Sequence, residues 1–253
     1  IGIATGLALR GKKVFVYSII PFLIHRSFEQ IKNNIAVSNL DIKLVGAGGG
    51  FSYAEQGVSH NPTEDIAIMN TLPNFKIFSP GTRSESLSMI NYMISSKGPS
   101  YIRLTKAPEF DYINKKNISK LNPSIVQKGK KVLILVTGNI IENVINALPI
   151  LEKKGIKPTI VSFPCIKPFQ ESYFLSLLKD HSLIYTVEEH SIIGGLSSII
   201  NNILFLNSKN LKIHNFALED KAHIDIGTHE YLRKINKLDA ASIANKIIRD
   251  NEK

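Results

Sequence analysis

Residues 45–66, VGAGGGFSYAEQGVSHNPTEDI, run from the end of an apolar strand through a glycine turn to a histidine and the start of a helix. Glycines directly after a strand either let backbone approach a phosphate or close a tight loop, and these residues alone allow both. The dinucleotide fingerprint is excluded, because the sixth position counted from Gly46 is Phe51. A P-loop is excluded as well, since no Gly-Lys-Ser/Thr follows. His60 precedes a helix for which Thr63 is the expected N-cap, with Glu64 and Asp65 just behind it. A loop histidine there either stands in solvent or hydrogen-bonds an anionic or hydroxylated ligand. The segment GVSHN, 57–61, fails the nucleophile-elbow pattern at Asn61.

Outward from this stretch the chain alternates strand and helix. KVFVYSI (13–19) is a β-rich run. PFLIHRSFEQIKNNIA (21–36) begins with a proline suited to a first helical turn and carries apolar residues at Phe22, Leu23, Phe28, Ile31 and Ile35. FKIFSP (75–80) and PSYIRLT (99–105) read as strands flanking an amphipathic helix at 84–96. The stretch 106–131 is polar and charged, and 109–123 reads as a linker. A second alternation starts at VLILVTG (132–138), with strands at 158–163, 182–189 and 212–218, and helices at 140–154, 171–179, 194–204, 229–236 and 239–250. The expected fold class is therefore α/β: two three-layer domains with mostly parallel sheets, at 1–108 and 124–253.

At 253 residues and 43% hydrophobic content the chain can bury a sizeable core. Its net charge of +10 is spread evenly: residues 1–108 hold 11 Lys/Arg against 6 Asp/Glu, and 109–253 hold 20 against 15. That distribution argues against a nucleic-acid face and for attraction of small anionic substrates. The single cysteine, Cys165, precludes an internal disulfide, reads as a structural thiol and suits a reducing, cytoplasmic setting. No apolar run is long enough to span a membrane. His223 and His229 lack a metal-ligand pattern, so no metal site is expected in this chain.

Taken in order, GIATGLALRGKKVFVYS (2–18), PFLIHRSFEQI (21–31), residues 48–81 and GPSYIRL (98–104) resemble the pyrimidine-binding domain of the transketolase family of thiamine-diphosphate enzymes. VLILVTG (132–138), IKPF (166–169), YTVEEHSIIGGLSS (185–198) and GTHEYLRKINKLDA (227–240) are similar to the transketolase C-terminal domain. The resemblance covers nearly the whole chain. It is greatest to the separately encoded C-terminal subunit of a split transketolase, including relatives of 1-deoxyxylulose-5-phosphate synthase.

The resemblance implies transfer of a two-carbon ketol unit between sugar phosphates with thiamine diphosphate as cofactor. It makes Phe22 the aromatic residue stacked on the pyrimidine, with Leu23 as a possible replacement, Phe28 a second aromatic contact and Arg26 a further cofactor-site residue. His60 becomes the catalytic and substrate-binding histidine, and Arg103 a substrate-phosphate ligand. The family places its activating Glu before the GIAxGLA helix, which would fall upstream of Ile1; the expectation is an N-terminally truncated pyrimidine domain, and Glu29 does not take over that role. Where the family has acidic-Gly-Pro-Thr-His, this chain has Gln56-Gly57-Val58-Ser59-His60. The Gly-Asp-Gly…Asn motif for Mg2+ and diphosphate is missing, so the resemblance assigns Mg2+ to an N-terminal partner subunit. It further implies a homodimer contact, hence a heterotetramer, with the opening helix contributing Ile3, Leu7 and Ala8 over a small-residue surface of Gly2, Ala4 and Gly6. Activity is then expected only in the complete complex. The alternatives are 1-deoxyxylulose-5-phosphate synthase chemistry, a 2-oxo-acid dehydrogenase β subunit, and a non-catalytic scaffold of the same fold.

Overall fold

A computed structural model describes residues 1–106, 110–112 and 121–252. Most of the expected linker, residue 109 and residues 113–120, lies outside the described residues. The chain forms two five-stranded sheets. In the first, β1 (Val14–Ile19), β2 (Ile42–Ala47), β4 (Ser100–Leu104) and β3 (Lys76–Phe78) lie parallel in the order β1-β2-β4-β3. In the second, β10 (Ile213–Leu218), β9 (His181–Ser191), β6 (Lys131–Thr137) and β7 (Thr159–Ser162) are parallel, and β5 (Ser124–Gln127) runs antiparallel at the edge. The α/β reading with mostly parallel sheets is thus the observed fold.

Alternation along β6 shows why both faces of the second sheet need cover. Val132, Ile134 and Val136 face α5 (Ile141–Glu152) and α9 (Ala240–Asn251), where Val144, Leu151, Ile243 and Ile247 are fully buried. Leu133 and Leu135 face α7 (Leu196–Leu206), with Phe163, Ile200 and Ile203. A strand buried on both sides is apolar along its length, as β6 is from Val132 to Val136. The first sheet is covered on one face by Ile24, Ile31, Ile35, Ile66 and Met69, and on the other by Met89 and Met93 of α4 (Arg83–Ser95). Thr82 caps α4, its hydroxyl accepting from Glu85 N–H at 3.2 Å.

Three details depart from the sequence reading. The helix expected at 21–36 is wound as two wide π turns, Pro21–His25 and Ile31–Ala36, flanking the short α2 (Phe28–Gln30). Thr63 is not an N-cap: α3 spans Asp65–Asn70, and the Thr63 hydroxyl bonds to Glu64 Oε2 at 2.8 Å instead. The Thr63 carbonyl meanwhile accepts from Ser191 N–H at 2.6 Å, which holds this segment extended against β9. Finally, β8 (Cys165–Lys167), between two prolines, leaves the second alternation and pairs antiparallel with β3, extending the first sheet. In return Phe51 and Ala54 insert into the core of the second sheet. The two halves therefore share strands and core rather than meeting at a flat interface. Cys165 is 2% exposed and donates to the Pro168 carbonyl at 3.3 Å; burial pushes its thiol up to about 12, as suits a structural thiol.

Candidate functional site

In a parallel sheet the loops after the strands' carboxyl ends gather on one side, where ligands bind. After β1 the first π turn carries Phe22 and is capped by Arg26; after β2 the glycine turn leads to Tyr53 and His60; after β4 comes Lys106. These five side chains form one cluster. The Phe22 and His60 rings meet edge to face, 5.0 Å between centroids at 79°. Tyr53 lies 6.4 Å from His60, also edge-on. The Arg26 guanidinium sits 4.2 Å above the Phe22 ring, and Lys106 Nζ 5.3 Å from the Tyr53 ring. His60 ends a 3-10 turn entered through Gly57 at φ +73°, a conformation that favours glycine, and its Nδ1 is 3.0 Å from Ser59 Oγ.

Of the sequence candidates, Phe22, Arg26 and His60 are brought together, and Phe28 and Arg103 are not. Phe28 packs half-buried against the core of the first sheet. Leu23 is also a core residue, 4% exposed, so Phe22 is the side chain of that pair that faces His60.

Arg103 is 6% exposed and its guanidinium is already engaged. Its Nε donates to both Asp65 oxygens at 3.1 Å, and a terminal nitrogen donates to the carbonyls of Glu189 at 3.0 Å and Pro62 at 3.3 Å. Tyr101 donates to Asp65 at 2.6 Å. Burial pulls Arg103 down most strongly of any single influence, but Asp65, Tyr101 and Glu189 together outweigh it and raise the group. Glu189, beside it, accepts from Phe51 N–H at 2.6 Å, from His229 at 2.8 Å and from Arg233. Burial would raise Glu189, yet Arg233 and then His229 hold its carboxyl well below the usual range. Arg233 also donates to Asn139 and Asn143, both at 3.0 Å. These groups bolt the glycine turn to the second sheet. A Cβ at Gly49 would lie 2.8 Å from Arg103, and one at Gly50, φ +62°, 2.3 Å from Glu189. The turn is thus a tight loop filled by protein side chains, which settles the choice left open by its sequence.

Asn61, next to His60, is 5% exposed, and neither its amide nitrogen nor its oxygen has a hydrogen-bond partner. An unmatched buried amide beside an aromatic and cationic cluster suits a flat polar heterocycle that brings its own donors and acceptors. Between Tyr53, Gln56, Lys106 and His229 lies a cleft of about 130 Å³, adjacent to the cluster. Sequence reasoning missed Tyr53, Asn61, Lys106 and His229. Lys106 had a weak signal, a second cation three residues after Arg103 in RLTK; the other three acquire their places through tertiary packing alone. Among the described residues no group of three or more His, Cys, Asp and Glu side chains could hold a metal ion. None of their helices is long and apolar enough to cross a membrane.

Comparison with known proteins matches this architecture to two families: the transketolase pyrimidine-binding domain over residues 1–108 and the transketolase C-terminal domain over 123–243. An apulose-4-phosphate transketolase subunit of Actinobacillus succinogenes is 31% identical over 97% of this chain and 79% of its own length. The 1-deoxy-D-xylulose-5-phosphate synthase of Dictyoglomus thermophilum is 32% identical over 97% of this chain, which spans 40% of that protein. Among solved structures, a split-gene transketolase described as an inactive beta4 tetramer superposes with a TM-score of 0.87 at 25% identity, covering 98% of this chain and 79% of that one. With its pyrimidine-binding domain followed by a transketolase C-terminal domain, and relatives encoded as separate subunits, the chain belongs to the transketolase family and is a C-terminal subunit of that thiamine-diphosphate-dependent class.

Proposed function

We propose that this chain supplies the pyrimidine side of a thiamine-diphosphate site and, with an N-terminal subunit, moves a two-carbon ketol unit between sugar phosphates. The observation that carries the proposal is the cluster itself: a half-buried Phe22 ring, flanked by His60 and Arg26, beside an unpartnered buried amide at Asn61. When bound, thiamine diphosphate supplies the carbon nucleophile needed to cleave the bond next to a ketose carbonyl.

Phe22 offers the ring an apolar contact without loss of a hydrogen bond. Asn61 has the donors and acceptor to fix its orientation. His60, with Ser59 as neighbour, holds a substrate hydroxyl and passes a proton to or from it. Arg26 and Lys106, both exposed, are placed to meet substrate phosphate. Arg103 is spent on Asp65 and acts through the fold, setting the glycine turn under the cluster.

In this reading Mg2+ and the diphosphate are held by an N-terminal subunit, and turnover needs both chains. Relatives that are themselves single subunits of a transketolase support that division. Edge strand β1 and helix α1 (Gly2–Leu9) leave Ile3 (84% exposed) and Tyr17 (70%), with Phe15 and Leu7, facing outward, a surface fit for a subunit contact. Ala4 takes no part in it: it is 6% exposed and packs into the core, while Gly2 and Gly6 of the expected small-residue surface stay exposed.

The test mixes this chain with its cognate N-terminal subunit, cofactor and Mg2+ and follows aldose-dependent consumption of a ketose phosphate. Activity that needs both chains and falls at least about a hundredfold in His60→Ala supports the proposal. Equal turnover by the His60→Ala complex would overturn the assignment.

A further inference from the structure

The second domain holds a concave site that neither the cluster nor the subunit contact uses. Helix α9 buries Ile243, Ala244 and Ile247 in the core. Its residues at helical spacing beside that stripe, Ser242, Asn245, Lys246 and Arg249, line a cleft of about 590 Å³ against Phe216 of edge strand β10. Lys237 joins them from the turn before α9, held at φ 58°.

Three cations converge there, and among the described residues none has a carboxylate within ion-pair distance. Two acids stand nearby and are felt by the cations, Asp250 by Lys246 and Glu219 by Lys237, but the short contacts of both are made to other groups. Asp250 takes Tyr185 Oη at 3.2 Å and faces His214 Nδ1 at 3.3 Å, while Glu219 on the rim is paired with Lys221 at 2.8 Å. Lys246 Nζ lies 4.9 Å over the Phe216 ring and 3.5 Å from the Asn215 carbonyl. Burial lowers its pKa; Asp250 opposes this, and Arg249, Lys212 and Lys237 lower it further. Lys246 is half-buried and Lys237 and Arg249 are exposed beside it; like charges gathered around one cleft repel one another, and an anion between them relieves that repulsion.

We propose that this cleft binds a small molecule carrying two or more phosphate groups. Arg249 offers a planar fork for bidentate contact, and Lys237 and Lys246 add point charges. Asn245, Ser242 and Asn236 supply neutral hydrogen-bond donors around them. The volume is that of a metabolite site rather than of a single ion. The proposal is independent of the ketol-transfer reading, because the cleft shares no residue with the cluster.

The test is calorimetric titration of the full chain with tripolyphosphate at a fixed ionic strength near physiological, followed by a nucleoside triphosphate and a sugar bisphosphate to separate the two sources of this chemistry. Saturable binding, weakened at least about tenfold in K246Q/R249Q and unchanged in K32Q, an exposed lysine of the first domain outside both sites, is expected. Should the double variant melt below the wild type, R249Q alone carries the test, since Arg249 is exposed and outside the core. No saturable heat, equal binding by the variants, or loss of binding in K32Q instead would overturn the proposal.

Discussion

Glu189→Gln is the most informative single change outside the cluster. The substitution keeps the shape of a side chain that is 2% exposed, but removes its charge and turns one acceptor into a donor. The new amide nitrogen then faces Phe51 N–H or the Arg233 and His229 donors. Arg233, 5% exposed, keeps only the amide oxygens of Asn139 and Asn143. Removing one partner of a buried ion pair costs about 3–5 kcal/mol. In a chain of this size that is a fall in melting temperature of about 10 °C. The double variant Glu189→Gln/Arg233→Met removes both charges and is expected to recover much of the loss, which separates an orphaned charge from a simple packing defect. The sign with pH follows from the depressed carboxyl. Its stabilisation is full above the ordinary value of 4.5 and is lost as pH falls towards the folded value. The gap between wild type and variant is therefore widest at neutral pH and narrows below about 4.5. Thermal melts at pH 7 and at pH 3–4 provide the assay. A variant melting within about 2 °C of wild type, or a gap that stays constant with pH, would show that the Glu189 charge does not hold the fold.

Other consequences are as direct. Arg26→Gln is expected to raise KM for the ketose phosphate about tenfold or more while leaving the melting temperature unchanged, because Arg26 is exposed and touches only the Phe22 ring; an unchanged KM contradicts its placement. Asn61→Leu fills the same space without unmatched polar atoms, so melting of the ligand-free chain is expected to rise or hold while cofactor affinity in the complex falls; the reverse pattern shows a structural amide. Ile3→Lys on α1 is expected to weaken subunit association in sedimentation without lowering stability, whereas Ala4→Glu unfolds the first domain by forcing a charge into its core; equal effects of the two remove the interface assignment.

The alternation of strands and helices was legible because β6 holds an unbroken apolar run and α9 keeps one helical period, so fold class and most elements follow from local pattern. Phe22, Arg26 and His60 were legible through the ordered resemblance, and the structure brings them within contact of one another. What pattern could not show was the exchange between halves. Strand β8 is three residues long and has no period of its own; only its pairing with β3 gives it an identity. Arg103 looked like a free cation because Asp65, 38 positions away, neutralises it only after β4 and α3 meet. Thr63 carried a cap signature that a competing bond to Glu64 displaced.

In the proposed assembly this chain holds one side of a cofactor site that another subunit completes. The most direct test is cofactor titration by calorimetry, with Mg2+ present, on this chain alone, on its cognate N-terminal subunit alone and on the equimolar mixture. Tight binding is expected of the mixture only, weakened when the mixture carries Phe22→Ala. Sub-micromolar binding by this chain alone, or mixture binding indifferent to Phe22→Ala, would contradict it.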